Sequence, residues 1–328
     1  PTLSEEGLRG TVEKHIDDID NLQNSIEMLN KKLELNIKDF GAKGDGVTDD
    51  TDAIQSAFNF IKGLQTNNKN DRAVTLFFPN GIYIINRGFE LDINVVIKGE
   101  VLSKTASYRL FGMNVTGQET RPNATTIKYN SYKNGATMFK AVNSADGFLH
   151  DISFEDILLD GSDGKAVQID APNGGSKDLI INFDGVNSNG VDLSALRFTR
   201  GSRNLMLVGF SGIGLQTGHW QHHDNPIITL CGVGIVSGGD GNINNPLISH
   251  CKNGIEIGSS SKNGVTDRFQ NIRVEWCEEY GINVINGGSN KISGFIDRCG
   301  YSGYNQPTAT WNMTLDLIIQ RCGAFYRG

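Results

Sequence analysis

The chain has no apolar run long enough to cross a membrane, and no signal peptide is visible in the sequence. It has no basic stripe either: 37 acidic residues outnumber 30 basic ones, for a formal charge of -7, which argues against nucleic acid as a main partner. Acidic polymers could still bind locally. Its five cysteines are odd in number and spread along the second half, which argues against a disulfide framework. What is abundant is glycine, 40 residues of it, with much Asn and Ser, as in an elongated, turn-rich β protein. The sequence opens at Pro1 without a Met and stops at Gly328 just after a repeat, which would leave a sheet edge open. A fragment or processed form of something longer is therefore expected.

The cysteines mark an internal repeat. From Phe210 through Cys231, Cys251, Cys277 and Cys299 to Cys322 the steps are 21, 20, 26, 22 and 23 residues, the length of one turn of a parallel β-helix with variable loops. Three residues before each stands Leu207, Ile228, Ile248, Val274, Ile296 or Ile319. Gly-Ile-x-Ile/Val follows several of them, as in Gly254-Ile255-Glu256-Ile257 and Gly281-Ile282-Asn283-Val284. Stacked turns would place apolar and sulfur ladders inside, with inert thiols.

Asp39-Phe40-Gly41-Ala42-Lys43-Gly44-Asp45-Gly46-Val47-Thr48-Asp49-Asp50 combines three glycines with short acidic and Thr residues, the composition of a tight turn with positive φ. Thr48 or Asp49 can cap a following helix whose apolar stripe is Ala53, Ile54, Ala57, Phe58, Ile61 and Leu64. This segment resembles the opening of the pectate-lyase superfamily, and more closely its tailspike branch, which includes phage preneck appendages and capsule depolymerases. Pro79-Asn80-Gly81-Ile82-Tyr83 is similar to the Pro-x-Gly-x-Tyr that often follows the first strand there. The resemblance implies an all-β fold, a right-handed parallel β-helix, in which the helix caps the open N-terminal end and the acidic residues around it serve as scaffold.

Ahead of that opening, Leu8, Val12, His15, Ile19, Leu22, Ile26, Leu29 and Leu33 are spaced alternately by four and three, a heptad seam. The competing reading is one amphipathic helix packed on its own domain. Ile at a with Leu at d suits a dimer, Ile16 widens the stripe toward a third helix, and His15 at a d position is a candidate for setting register. Tailspikes of the family are trimers, so the resemblance implies a homotrimer. The expected organisation is a coiled-coil neck over 1–36 and a β-helix over 37–328, with the Gly-rich turn and cap helix in 37–72 and the coils in 73–328. Early strands include Thr75–Phe78 and Val95–Lys98; regular turns begin at Ile152–Ile157 and Asp178–Phe183.

Function has to come from outward positions, because this fold hosts lyases, hydrolases, esterases and inert stalks. Polygalacturonase-type relatives carry Asn-Thr-Asp, Asp-Asp, Gly-His-Gly and Arg-Ile-Lys in consecutive turns. Here only Asn189-Gly190-Val191-Asp192 and Gly218-His219-Trp220 are loosely comparable, with no adjacent aspartate pair between them. The calcium-binding carboxylates and catalytic Arg of true pectate lyases have no counterpart that can be placed.

Two residues before the ladder position run Val208, Thr229, Ser249, Glu275, Asp297 and Gln320. If the preceding apolar residues point inward, this column points out, and Glu275 and Asp297 stack on neighbouring turns about 5 Å apart at their backbones. Such a pair suits glycoside hydrolysis, one carboxyl as acid beside a base or nucleophile. Beside it run His250, Trp276, Arg298 and Arg321, with Glu256, Glu278 and Glu279 farther along the turn. An outward Trp suits stacking on a sugar, and the arginines suit anionic substituents. The alternative is a surface charge ladder in which Arg273, Arg298 and Arg321 neutralise the two acids.

Two weaker constellations remain. His219, Trp220, His222, His223 and Asp224 fall in one short segment, where the His and Asp residues could hold a metal for phosphodiester cleavage and Trp220 could contact substrate. Asp160, Asp163, Asp184 and Asp192 are too scattered in register to assign. The expectation is a phage tailspike that binds and hydrolyses a host cell-surface polysaccharide or teichoic-acid-like glycopolymer. It would attach to the phage tail or neck through its N-terminal region and need neither cofactor nor resident metal. The alternatives are a non-catalytic receptor-binding spike and a polysaccharide lyase.

Overall fold

A computed structural model of the chain describes residues 12–16, 18–19, 34–68, 73–100, 125–130, 136–142, 151–161, 168–170, 180–182, 188–195, 201–258, 267–286, 289–306 and 313–323. The chain winds as a parallel β-helix. Among the described residues the strands form a larger sheet of 17 and a smaller one of eight, and within both every pairing is parallel.

In a middle coil, two short strands of the larger sheet are followed by one of the smaller, as in His222–Asp224, Ile227–Thr229 and Val233–Ser237. The chain bends twice at residues with left-handed backbone. The first bend carries Asp156, Asn204, Asn225, Asn245 and Asn271, each with φ between 50° and 52°. Asn tolerates this conformation, and here it also makes a ladder. Asn225 Nδ2 donates to Asn204 Oδ1, Asn245 Nδ2 to Asn225 Oδ1 and Asn271 Nδ2 to Asn245 Oδ1, at 3.1–3.2 Å. At its last member, Asn271, the two strands run together as the single strand Arg268–Glu275, and they stay one in Lys291–Asp297.

The inward columns follow the repeat. Leu207, Ile228, Ile248, Val274, Ile296 and Ile319 are register partners in succession. Phe210 and all five cysteines are buried, and no cysteine is in a disulfide. Opposite them, Gly254 shows why glycine opens each Gly-Ile-x-Ile strand. A Cβ there would lie 2.6 Å from Val274 Cγ1 and 3.3 Å from Cys277 Sγ, so the coil is only as thick as an Ile/Val and a Cys side chain allow.

At the N-terminal side, Gly41, Gly44 and Gly46 all have positive φ. The helix Thr51–Asn68 follows, burying Ile54, Ala57, Phe58 and Ile61. Asp49 Oδ1 accepts from Thr51 N (2.9 Å), while Asp50 reaches back to Lys43 N and Gly44 N and Asp45 accepts from Val47 N and Thr48 N. The acidic cluster thus holds backbone amides together. Phe58 meets Phe89 edge-on at 5.3 Å, docking the helix on the first coils.

The regular turns do include Ile152–Ile157: Asp156 bends the chain between Ile152–Glu155 and Leu158–Asp160, both in the larger parallel sheet. One expectation needs correction. Within Asp178–Phe183, Ile180–Asn182 pairs antiparallel with Gln168–Asp170, a two-stranded hairpin apart from the parallel sheets. Residues 12–16 and 18–19 are helical, with Val12, Ile16 and Ile19 exposed; Leu8, Leu22, Ile26, Leu29 and Leu33 of the heptad seam lie outside the described residues.

Candidate functional site

The second bend of the coil carries Leu230, His250, Trp276, Arg298 and Arg321, with φ between 50° and 57°. A residue that is neither Gly nor Asn costs about 1–2 kcal/mol in this conformation, yet the bend recurs in coil after coil. It swings each side chain to the outer corner between the sheets. The His250 and Trp276 rings are nearly parallel (8°) with centroids 6.1 Å apart, and Arg298 Cζ lies 4.6 Å from the Trp276 ring centre. His250 is largely covered, and burial lowers its pKa to about 4, so the ring in this stack is neutral at pH 7.

Glu275 and Asp297 stand one residue before Trp276 and Arg298 and are direct register partners. Their surroundings differ. Asp297 is buried and gathers two guanidinium groups: Arg298 Nη1 donates to Oδ2 (2.7 Å), Arg321 Nε to Oδ1 (2.8 Å), and Arg321 Nη2 also bonds Oδ2. Glu275 is half-buried and accepts from Arg273 Nε at 2.7 Å. Farther back in this column, Thr229 Oγ1 and Ser249 Oγ are 3.2 Å apart and buried. Two carboxylates, an indole, an imidazole and three guanidinium groups thus occupy consecutive rungs.

Glu256 and Trp220 are held elsewhere. Glu256 faces outward on the smaller sheet, in register with Asn283 and one strand farther from Asn305. Asn253 Nδ2 donates to Glu256 Oε1 (3.1 Å). Burial raises the Glu256 pKa, nearby Glu279 adds to this, and bonds from Asn253 and Asn283 oppose it. Trp220 is 44% exposed on the opposite bend, ahead of His222–Asp224, next to His219. His219 Nδ1 is 3.9 Å from Asp240 Oδ2.

The His-rich segment does not converge. His222 and Asp224 face out, while His223 between them points into the core. There Nδ1 is 2.9 Å from Ser202 Oγ and Nε2 is 3.2 Å from Gln221 Oε1. Burial lowers the His223 pKa to about 4. Alternation along the strand thus separates the ligands of the imagined metal set, and among the described residues no group of three or more His, Cys, Asp or Glu is placed to hold a metal ion. Of the scattered aspartates, Asp160 is fully buried and Asp192 accepts from Ser194 N; Asp163 and Asp184 lie outside the described residues.

Sequence reasoning passed over several residues. Tyr280 and Tyr301 meet edge-to-face at 5.7 Å, Tyr280 N donates to the Oδ1 of Asn253, which holds Glu256, and Asn305 Nδ2 donates to Asn283 Oδ1 at 2.9 Å. Asp267 is buried at the start of Arg268–Glu275; Oδ1 accepts from Gly241 N (2.7 Å) and Oδ2 from Ser237 Oγ, and burial lifts its pKa to about 7. The outward columns of the smaller sheet could have been found by extending the Gly-Ile-x-Ile alignment one residue either way.

Short stretches of the chain resemble curated proteins. It is 44% identical over 70 residues to alginate lyase 7 of Azotobacter vinelandii and 39% identical over 69 residues to the K30/K69-specific capsule depolymerase of Klebsiella phage K64-1. These matches cover 21% and 20% of the chain, and only 7% and 9% of those proteins. Among solved structures, the DFA-IIIase of Arthrobacter chlorophenolicus A6 aligns with a TM-score of 0.58 at 15% identity, over 88% of this chain and 69% of that one. ORF18 of Geobacillus virus E2 aligns at 0.52 and 18% identity, over 93% and 64%. These two likenesses establish the fold. The family model for rhamnogalacturonase A/epimerase, pectate lyase-like proteins matches residues 35–283, from the first described strand through the coil that carries Glu275 and Trp276. With well over half its length so matched, the chain belongs to the rhamnogalacturonase A/epimerase, pectate lyase-like family.

Proposed function

We propose that this chain is the right-handed β-helix of a phage tailspike, which binds and hydrolyses an acidic polysaccharide on the host surface. The observation that carries the reading is the outer corner where Glu275 and Asp297 stand in register beside the His250, Trp276 and Arg298 stack. An indole face suits the C–H face of a pyranose, and Arg298 and Arg321 suit its carboxylate or other anionic substituent. Asp297, ringed by guanidinium donors, serves as the anionic partner that activates water or attacks the anomeric carbon. Glu275, with one arginine contact and more exposure, delivers the proton to the departing glycosidic oxygen. The likeness to a phage capsule depolymerase supports the substrate class and a place on the virion.

Residues 1–36 serve as a trimeric neck joining the appendage to the phage, and the helix Thr51–Asn68 caps the coil. Support for the neck comes from the seam and from the exposure of Val12, Ile16 and Ile19 along its helical part. Incubation with purified surface polysaccharides from candidate hosts, followed by assays for new reducing ends and for unsaturated products, tests the chemistry. Reducing ends without unsaturation are expected; unsaturated products mean a lyase. The arginine pairing of both acids favours one second reading, a receptor-binding spike without catalysis, for which the same experiment gives binding and no product.

A further inference from the structure

Three residues beyond Arg298, at most about 11 Å along the chain, the outer corner gives way to a surface of different chemistry. Tyr301 is 52% exposed and packs its ring edge-to-face with Tyr280. On the outer face of the smaller sheet, Glu256, Asn283 and Asn305 form one column tied together by side-chain hydrogen bonds. Asn253 joins the two features: its Nδ2 donates to Glu256 Oε1 and its Oδ1 accepts from Tyr280 N at 3.3 Å. The nearby cation, Lys252, lies 3.4 Å from Glu279 and is balanced by it.

This strip offers a ring face, amide donors and acceptors, and a carboxylate. A pyranose meets all three, its C–H face against the ring and its vicinal hydroxyls with the amides and the carboxylate. Its carboxylate, Glu256, would repel a uronate, whereas the corner beside it displays Arg298 and Arg321. We infer that the strip formed by Tyr280, Tyr301, Glu256, Asn283 and Asn305 is a second glycan subsite that takes a neutral pyranose. The ligand is then a heteropolysaccharide whose anionic residue lies against Trp276 and Arg298 and whose neighbouring residue is uncharged. This rests on the glycan-binding reading above and adds a specificity to it.

Ligand-observed NMR titration of the full chain with methyl glycosides of glucose and galactose, and with those of the corresponding uronic acids, tests it. Tyr301→Ala, at a largely exposed ring, should weaken the neutral probe at least ten-fold and leave the uronate within about two-fold. Glu256→Gln should act in the same sense, and Arg321→Ala in the opposite one, with unchanged far-UV circular dichroism confirming each fold. Uronate binding without neutral binding, or Tyr301→Ala affecting both probes equally or neither, overturns the subsite and leaves the glycan reading standing. Failure of both probe classes to bind the unmodified protein overturns the glycan reading and the subsite with it.

Discussion

The Arg298 guanidinium lies over the Trp276 ring, 4.6 Å from its centre, while the same guanidinium bonds Asp297. One side chain therefore couples the aromatic surface to the acid. Trp276→Ala should lower glycan affinity by roughly ten-fold, in line with about 0.5–2 kcal/mol for a ring face and its cation contact. Isothermal titration with the cognate polysaccharide checks this; unchanged affinity would remove Trp276 from the binding surface.

The two acids should separate when neutralised. Glu275→Gln is expected to cut turnover by orders of magnitude with little change in melting temperature, because the half-buried amide keeps shape but cannot deliver the proton. Asp297→Asn should lose turnover and also melt earlier, since it leaves Arg298 and Arg321 without the carboxylate they surround; breaking such buried pairs costs about 3–5 kcal/mol. Full activity in both variants would move the chemistry away from this corner.

The sulfur column makes a separate claim. Cys231, Cys251, Cys277, Cys299 and Cys322 are buried, and burial together with neighbouring thiols raises Cys251 and Cys299 well above the usual thiol range. Native protein should react slowly with a thiol reagent and release five equivalents only on denaturation. Cys322, on the last described coil and 8% exposed, should react first.

Much of this ladder was legible before any coordinates, because its spacing tolerates loops while its Ile/Val and Cys positions recur. The outward direction of Glu275 followed from alternation with Val274. What alternation could not supply was cover: Asp297 is buried because arginines from two coils close over it, a property of neighbours in space. The weak metal alternative at His223 fails for a different reason. In register with Ile243, and through it with Phe269, His223 sits in an inward column, which its closeness in sequence to two other histidines does not reveal. The hairpin at Ile180–Asn182 had the residues of a parallel strand, and only pairing partners distinguish the two.

Asp267 should cost the protein stability as pH rises from 4 to 7. Burial lifts its folded pKa to about 7, above the usual carboxylate range, so the folded state binds the proton more tightly. Its contribution to stability is fully present below about pH 4 and is lost as pH rises through 7. His223 works in the other sense: with a folded pKa of about 4 against 6.5, its contribution is present above pH 6.5 and is lost as pH falls through 4. Asp267→Asn should therefore flatten the decline in unfolding free energy between pH 4 and 7, measured by urea denaturation. Asn keeps an acceptor for Gly241 N and a donor for Ser237 Oγ. A slope identical to that of the unmodified protein would assign the decline to other groups.

The recurrent left-handed bend fixes the distance between successive outer side chains at the spacing of strands, about 4.8 Å. From His250 to Arg321 the corner is therefore a graduated scale of four marks. On the proposed reading, a glycan lying along it would be read one rung at a time, and exchanging the residue at one mark would change the reading there alone. New specificities would then arise by single substitutions at the bend, or by inserting a whole coil that lengthens the scale, while the ladders inside keep their register.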